Sequence, residues 1–536
     1  MPVRERKKIQ KMLRQINARH QPPAIRHKPI LIPASAFFLI LSFPNFNLWF
    51  LAWIGFVPLL CAIDGKKPIE AFALSYLTGV LFFLGTVYWL VHVTLPGMIA
   101  VVLYLALYFG IFGLVVSSAA GRKSPVALLV IPAVWVALEW VRAHLFTGFG
   151  WALLAHSQSY NLPIIQIADM AGAYGVSFLV MAVNAAIFMT IRQIRNKNYY
   201  TYYMAAALFL VFLSLAYGVF RLKNIFAGDM LKVAVVQGNI PQTKKWDRNY
   251  RAEIVGKYAA LTLEASKEKP DLIIWPETSV PGFLESERDL FGKVAGISKS
   301  VGVPLLVGTP SIARGEKDSL YNSAVLFGDG GRVLERYDKL HLVPFGEYVP
   351  LKELFSFVEK FAPMPIGDFS RGSAYTVFKF FIERDSRSKD ANWHMLKKVR
   401  FSCLICFEDI FPELASEFVR KDALFLVNIT NDAWFGNTSA PYQHAQSSVF
   451  RAVENRVNVV RAANTGLSCF IDQKGMITAK VCRAGKDLFV DGVAAHDIVL
   501  TKTRTFYTVY GDIFAYCCMV IALAYVVGLL VKRGAS

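Results

Sequence analysis

Phe401-Ser-Cys-Leu-Ile-Cys406-Phe-Glu408-Asp-Ile-Phe-Pro412 is an apolar run that delivers a thiol and then a carboxylate just before a proline. Ser402, Leu404 and Cys406 alternate with Cys403, Ile405 and Phe407, a period of two that predicts a buried strand, and Pro412 is suited to open the helix after it. The pattern puts Cys406 at the carboxyl end of a strand, where open α/β sheets bind their ligands. A single cysteine in such a run is more often a packed core thiol, because free Cys is among the most buried residue types. It becomes a nucleophile only where neighbours favour its thiolate, so what matters is which other segments can reach it.

Two segments qualify. Asp271-Leu-Ile-Ile-Trp-Pro-Glu277 is a second apolar strand ending on a carboxylate. Tyr337-Asp-Lys339-Leu-His-Leu-Val-Pro-Phe-Gly-Glu347-Tyr-Val-Pro350 sets a lysine before a Pro/Gly loop that bears another glutamate. With these flanks, and with Asn431-Asp-Ala-Trp434-Phe435-Gly436 downstream, residues 230 to 500 resemble the nitrilase (carbon–nitrogen hydrolase) superfamily. That resemblance implies a four-layer αββα sandwich and a triad of general-base Glu277, Lys339 and nucleophilic Cys406. It also implies substrate-binding or supporting places for Trp246, Glu347, Phe407, Glu408, Asn431, Trp434 and Phe435. Phe407 stands where the superfamily often has tyrosine, so a hydroxyl is lost there and an aromatic ring kept.

Composition places the rest of the chain in lipid. Of 536 residues, 54% are hydrophobic and only 18% charged, too apolar for a soluble enzyme. The formal charge of +19 could suggest nucleic acid, but nine of the basic residues fall within the first 28 positions, which reads as a membrane-flanking tail. Apolar segments follow at about 30–43, 48–63, 71–91, 98–118, 126–142, 170–191, 201–220 and 511–531, eight spans of which the first two are short. Lys66 and Lys67, Arg122 and Lys123, Arg192 and Arg195, and Lys532 and Arg533 fall on alternate connections with the basic tail. The positive-inside rule then gives a cytoplasmic tail at 1–28, a membrane domain at 29–220, an external α/β domain at 221–508 and a last span with a cytoplasmic end at 509–536.

Leu138-Glu139-Trp-Val-Arg142-Ala-His-Leu-Phe-Thr-Gly148-Phe-Gly-Trp151 and Gly172-Ala-Tyr-Gly-Val-Ser-Phe178 resemble the membrane half of the superfamily's apolipoprotein N-acyltransferase branch. Glu139 and Arg142, three apart on a helix, can form a tethering ion pair or meet substrate. This closer resemblance implies a bacterial inner-membrane enzyme with its α/β domain in the periplasm. It implies a phospholipid acyl donor, typically phosphatidylethanolamine, and diacylglyceryl-cysteine lipoproteins as acceptors. Neither a cofactor, a metal nor a nucleic-acid partner is expected, and the chain is expected to act as a monomer. A membrane-tethered amidase using the same triad is the rival activity; a binding protein without activity would be expected to have lost a triad member.

Within 221–508, short strands alternate with amphipathic helices at 248–268, 287–300 and about 441–456, and Gly328-Asp-Gly-Gly331 predicts a hairpin turn. Residues 383–398 are polar and read as a flexible insertion. Leu342, Val343, Phe345, Tyr348 and Val349 are apolar enough to line an acyl path, so 340–350 reads as a lid. Cys403 and Cys406 are expected on opposite faces of one strand, not in a redox pair.

Overall fold

The computed structural model describes residues 28–534 apart from 121–125, 196–201, 225, 285, 313–318, 349–367 and 386–393; the basic tail up to 27, Val349 and Pro350 thus lie outside the described residues. All eight apolar segments are helical. They are α1 (Lys28–Leu41), α2 (Trp49–Ile63), α3 (Pro68–Thr86), α4 (Leu95–Ala120), α5 (Ala127–His144), α6 (Ala168–Arg195), α7 (Tyr202–Lys223) and, at the far end of the chain, Ile513–Gly534. Among the described residues six are long and apolar enough to cross a membrane, and α1 and α2 are the short ones. At 1.5 Å per residue the 14 residues of α1 reach about 21 Å, less than the ~30 Å of a hydrocarbon core.

The breaks within α2 free backbone groups that lipid cannot satisfy. Asn184 of α6 meets them, its Nδ2 donating to Ala52 O at 2.9 Å and its Oδ1 accepting from Phe56 N at 2.8 Å. Glu139 and Arg142, both buried on α5, form no direct ion pair, contrary to what their spacing suggests. Each holds the loop beyond α5 instead: Glu139 accepts from Leu154 N at 2.6 Å, and Arg142 donates to Trp151 O at 2.9 Å and Ala152 O at 3.3 Å.

The α/β part is two six-stranded sheets face to face. β1 (Asp229–Gln237), β2 (Leu272–Ile274), β3 (Leu305–Ile312), β4 (Leu320–Phe327) and β5 (Val333–Asp338) share the first sheet with a late strand. β6 (Phe378–Asp385), β7 (His394–Ile405), β8 (Phe425–Thr430), β9 (Asn458–Ala463), β10 (Cys469–Ile471) and β11 (Ile477–Lys480) form the second, and β12 (Gly492–Leu500) returns to pair antiparallel with β1. The orders are β12-β1-β2-β3-β4-β5 and β11-β10-β9-β8-β7-β6. A short α8 (Gln242–Lys245) follows β1; α9 (Arg251–Ser266) and α10 (Arg288–Val301) cover the outer face of the first sheet, where Tyr258 and Val294 pack with Trp275 and Val307. α11 (Pro412–Arg420) and α12 (Ala440–Asn455) cover the second, completing the expected αββα order.

Two expectations change. Residues 383–398 are not a wholly irregular insertion: β6 and β7 pair antiparallel from Phe378↔Phe401 out to Asp385↔His394. A strand buried on one face alone tolerates polar residues on the other, which is why composition misread it. Cys406 is not the last strand residue either. β7 ends at Ile405, and Cys406, with φ of +53°, turns the chain into a 3-10 segment, Cys406–Ile410.

The two parts meet through polar contacts buried from water. Asp169 of α6 accepts from Arg456 Nη2 at 2.7 Å, Arg221 Nη2 at 2.9 Å and Tyr217 Oη at 2.8 Å. Gly172 has φ of +64°, and a Cβ there would meet the Tyr507 ring at 2.4 Å, so this kink in α6 requires glycine. Arg456→Leu would leave Asp169 with Arg221 and Tyr217 alone. It is expected to destabilise the detergent-solubilised protein by ~3–5 kcal/mol in reversible unfolding, the usual cost of breaking a buried pair; a loss below ~1 kcal/mol would mean Asp169 is compensated by Arg221 alone.

Candidate active site

Four strand ends converge. Glu277 follows β2, Lys339 follows β5, Cys406 follows β7 and Asn431 follows β8, so each side chain is delivered where its strand stops at a carboxyl end. The Glu277 backbone is pressed onto β3, whose Gly308 would, with a Cβ, meet Pro276 O at 2.5 Å and Glu277 Cα at 2.7 Å. Ser279 Oγ and Val280 N both donate to Gly308 O at 3.1 Å and fix that approach.

Lys339 is fully buried between two carboxylates. Its Nζ stands 2.8 Å from Glu347 Oε2 and 3.8 Å from Glu277 Oε1. Asn322 of β4 links the two acids, donating to Glu277 Oε1 at 2.8 Å and Glu347 Oε1 at 2.7 Å. Burial disfavours the ammonium, but Glu347 and then Glu277 outweigh it and hold Lys339 well above the ordinary lysine range. The loop acid Glu347 therefore points inward, where it also accepts from Val343 N at 2.7 Å. The loop itself is a compact turn closed by Phe345 N to Tyr348 O at 2.7 Å, with Phe345 outermost.

Cys406 is half-buried. Burial first, and the Glu277 charge second, push its thiol well above the ordinary range, while Lys339 and a hydrogen bond with Thr430 pull the other way. With its thiol pushed up, chemistry at this cysteine calls for a base. Glu408 holds the cysteine and lysine segments together: its carboxylate accepts from Ile405 N at 2.7 Å, Leu340 N at 2.6 Å, His341 N at 3.0 Å and Tyr337 Oη at 2.8 Å. Burial raises it to about 7 against those donors.

Behind the cysteine lies a charged layer that sequence reasoning missed. His444 of α12 has Nδ1 2.9 Å from Asp432 Oδ1 and Nε2 2.8 Å from Asp409 Oδ1, and Nε2 also reaches Cys406 O at 3.2 Å. Arg461 donates to Asp409 at 2.7 Å, Asn428 at 2.9 Å and Ser448 at 2.8 Å. The signal was available: His444, Ser448, Arg451 and Asn455 recur at helical spacing, a polar stripe on a helix whose residues are nearly all buried. Lys245 of α8 was missed too, because a lysine pair in an expected loop reads as solvated. It is buried, donates to Glu277 O at 2.9 Å, and is pushed down to about 8 by that burial against the charge of Glu277.

Of the supporting residues, Asn431 donates to Gln242 Oε1 at 2.8 Å and so anchors α8. Phe407 packs on Phe411 and His341, and Phe435 sits 4.6 Å from the Trp89 ring of the helical part. Gln443 of α12 accepts at one oxygen from both Trp89 Nε1, at 3.0 Å, and Trp151 Nε1, at 3.1 Å. Trp434 is half-buried, and Trp246 is 44% exposed at the end of α8, beside the cluster and not in it.

The histidine layer has a pH signature. Burial alone would lower His444, yet Asp409 and Asp432, opposed by Arg461, raise it from 6.5 to about 9. The folded state thus holds a proton that the unfolded chain releases near 6.5. Its stabilisation is complete below that pH and is lost as pH rises through about 9. The stability difference between the native chain and His444→Gln, followed by unfolding across this range, should shrink as pH rises; a constant difference would mean the imidazole is neutral.

Comparison with known proteins gives the family. Residues 35–186 match the family described as Apolipoprotein N-acyltransferase N-terminal domain, and residues 232–505 match Carbon-nitrogen hydrolase. A protein of Geobacter metallireducens named apolipoprotein N-acyltransferase is 40% identical over 528 residues, 95% of this chain and 96% of that one. One of the same name from Chlorobaculum tepidum is 32% identical, over 92% of this chain and 95% of its own. Among solved structures, a nitrilase-superfamily amidase of Nesterenkonia aligns with 51% of this chain and 93% of its own, at 18% identity and a TM-score of 0.35. Saccharomyces cerevisiae Nit3 covers 52% of this chain and 92% of its own, at 19% identity and a TM-score of 0.36. With its helical and α/β parts both matched over nearly their whole length, the chain belongs to the apolipoprotein N-acyltransferase family, membrane enzymes of the acyltransferase class.

Proposed function

We propose that the chain transfers an acyl group from a phospholipid, through a thioester on Cys406, to the α-amine of a diacylglyceryl-cysteine lipoprotein. The observation that carries this is the half-buried thiol of Cys406 delivered at the same strand ends as Glu277 and the Lys339 ammonium, which stands 3.8 Å from that carboxylate. Glu277 takes the thiol proton as sulfur attacks the ester carbonyl; the carbon–oxygen bond breaks, and the same proton goes to the departing alkoxide. The tetrahedral oxyanion forms against the Lys339 ammonium and the backbone N–H of Phe407. The acceptor amine then gives its proton to Glu277, attacks the thioester and forms an amide, and the thiolate leaves and is reprotonated. Glu347 and Asn322 hold Lys339 and Glu277 in register and stay out of the covalent steps.

A thioester beside a base hydrolyses if water reaches it, so transfer needs a poorly hydrated surround. Phe407, Phe435 and the indoles of Trp89 and Trp151 supply apolar surface next to the cysteine segment. Phosphatidylethanolamine as donor, monomeric action, and a periplasmic α/β domain at 221–508 on an inner-membrane span set complete this reading.

Mixed with phospholipid alone, the protein should accumulate a hydroxylamine-sensitive acyl adduct on Cys406, and a diacylglyceryl-cysteine peptide with a free amino terminus should discharge it to amide. Free fatty acid released at a rate indifferent to the peptide would establish the amidase instead. Cys406→Ala should abolish the adduct and Cys403→Ala keep it; Glu277→Gln and Lys339→Ala should each slow transfer by roughly a hundredfold or more. For orientation, a cysteine reporter at Ser286 should react with an impermeant reagent in intact spheroplasts and one at Lys67 should not; the reverse would invert the topology.

A further inference from the structure

One face of the second sheet is the side joined to the apolar helices. Ser448 of α12 meets Arg461 of β9, and Arg461 meets Asn428 of β8, so those strand residues lie on the helix-covered face, and Leu404 opposite Asn428 lies there too. The helices covering this face are the ones tied to the membrane part. Glu454 accepts from Ala173 N at 3.0 Å, and Arg420 donates at 2.9 Å to Thr508 O, just before the last apolar helix. Strand alternation carries the same face outward along β7 through Arg400, Lys398 and Leu396, and across to Lys379 and Phe381 on β6, which pair with Arg400 and Lys398. Among the described residues no helix covers it there.

Lys379, Lys398, Arg400 and Lys421 line an open cleft of about 440 Å³ with Glu335 as its one acid. Arg400 is shared with Asp422 at 3.5 Å, and Lys421 with Glu417 at 3.6 Å, but Lys379 and Lys398 have no ion-pair partner among the described residues. Beyond the cleft, Phe381 is 59% and Leu396 66% exposed, large apolar side chains beside unpaired cations on an edge hairpin. Basic side chains flanking apolar tips match the chemistry of a bilayer surface, where phosphates take the charge and the acyl boundary takes the rings.

We propose that the β6–β7 hairpin rests on the bilayer, with Lys379 and Lys398 binding anionic phospholipid headgroups and Phe381 and Leu396 seated at the acyl boundary. The hairpin is the far end of the strand that delivers Cys406, so the lipid surface steadies that strand from outside the protein. This surface is separate from the substrate path and does not depend on the reaction proposed above.

The test uses the full chain with exposed Cys482 and Cys517 replaced by serine and an environment-sensitive fluorophore on Phe381→Cys. It is reconstituted in vesicles of phosphatidylcholine alone or of phosphatidylcholine and phosphatidylglycerol in equal parts, each carrying a shallow lipid-borne quencher. Quenching should be strong in the anionic vesicles, weaken at high salt, and fall on Lys379→Glu/Lys398→Glu, each lysine carrying roughly a fivefold weight in binding. Lys379→Gln/Lys398→Gln, which keeps side-chain bulk, should give an intermediate loss and guards against misfolding. Absence of quenching in anionic vesicles, or quenching equal in both and indifferent to the charge reversal, overturns the proposal. Release of the fluorophore by inorganic phosphate at constant ionic strength would overturn it in favour of a free-anion site.

Discussion

One ammonium held between two carboxylates organises this protein. Lys339 can remain charged out of water because Glu347 and Glu277 flank it and Asn322 ties those acids to each other. Removing the lysine would leave two carboxylates facing each other out of water, joined only through Asn322, so the group is viable as a set. The set also spans the first sheet, since its members come from the ends of β2 and β5, from β4, and from the loop after β5. Glu408 then fastens that loop to β7, with four donors around one carboxylate, and thereby sets the distance between the ammonium and the sulfur.

The other charged cluster works by a different logic. His444, Asp409, Asp432 and Arg461 lie wholly inside the second sheet's helix layer, away from any opening. Two acids and two bases balance there, and the imidazolium spends one of its hydrogen bonds on Cys406 O, in a backbone turn that has already taken a positive φ. Non-glycine residues adopt that conformation at a cost, and they hold it only where surrounding contacts over-determine it. The same helix carries Gln443, whose single oxygen serves two indoles of the membrane part, so the support behind the cysteine and the junction with the membrane are one piece of structure.

Much of this was legible in the chain. Glu277 and Cys406 lie far apart in the chain yet each follows an apolar strand, whereas Lys339 follows a largely polar one, Val333–Asp338, and is marked by the Pro/Gly loop after it. The eight apolar segments were legible from length alone, although α1 and α2 prove too short to span by themselves. What could not be read is instructive. The Glu139–Arg142 spacing suggests a pair, but backbone groups in a membrane-buried loop compete for the same charges and win. The polar residues at 383–385 and 394–398 resemble a flexible insertion because an edge strand pair needs only one apolar face. Lys245 and Asn322 carry no pattern at all: their burial depends on which loop folds over them, a property of tertiary packing and not of local sequence.

Gly308 ties the geometry of a strand interior to the position of one carboxylate. Its missing side chain is filled by the backbone of the candidate base, within 2.7 Å of where a Cβ would stand. Strand statistics rank alanine above glycine at such a position, and a swap would be accommodated first by the irregular segment after β2, which is easier to shift than a six-stranded sheet. The drift would fall on Glu277. Position 308 is thus closed by the backbone of a residue that the geometry of four strands must deliver to one point, and selection on turnover would find it so.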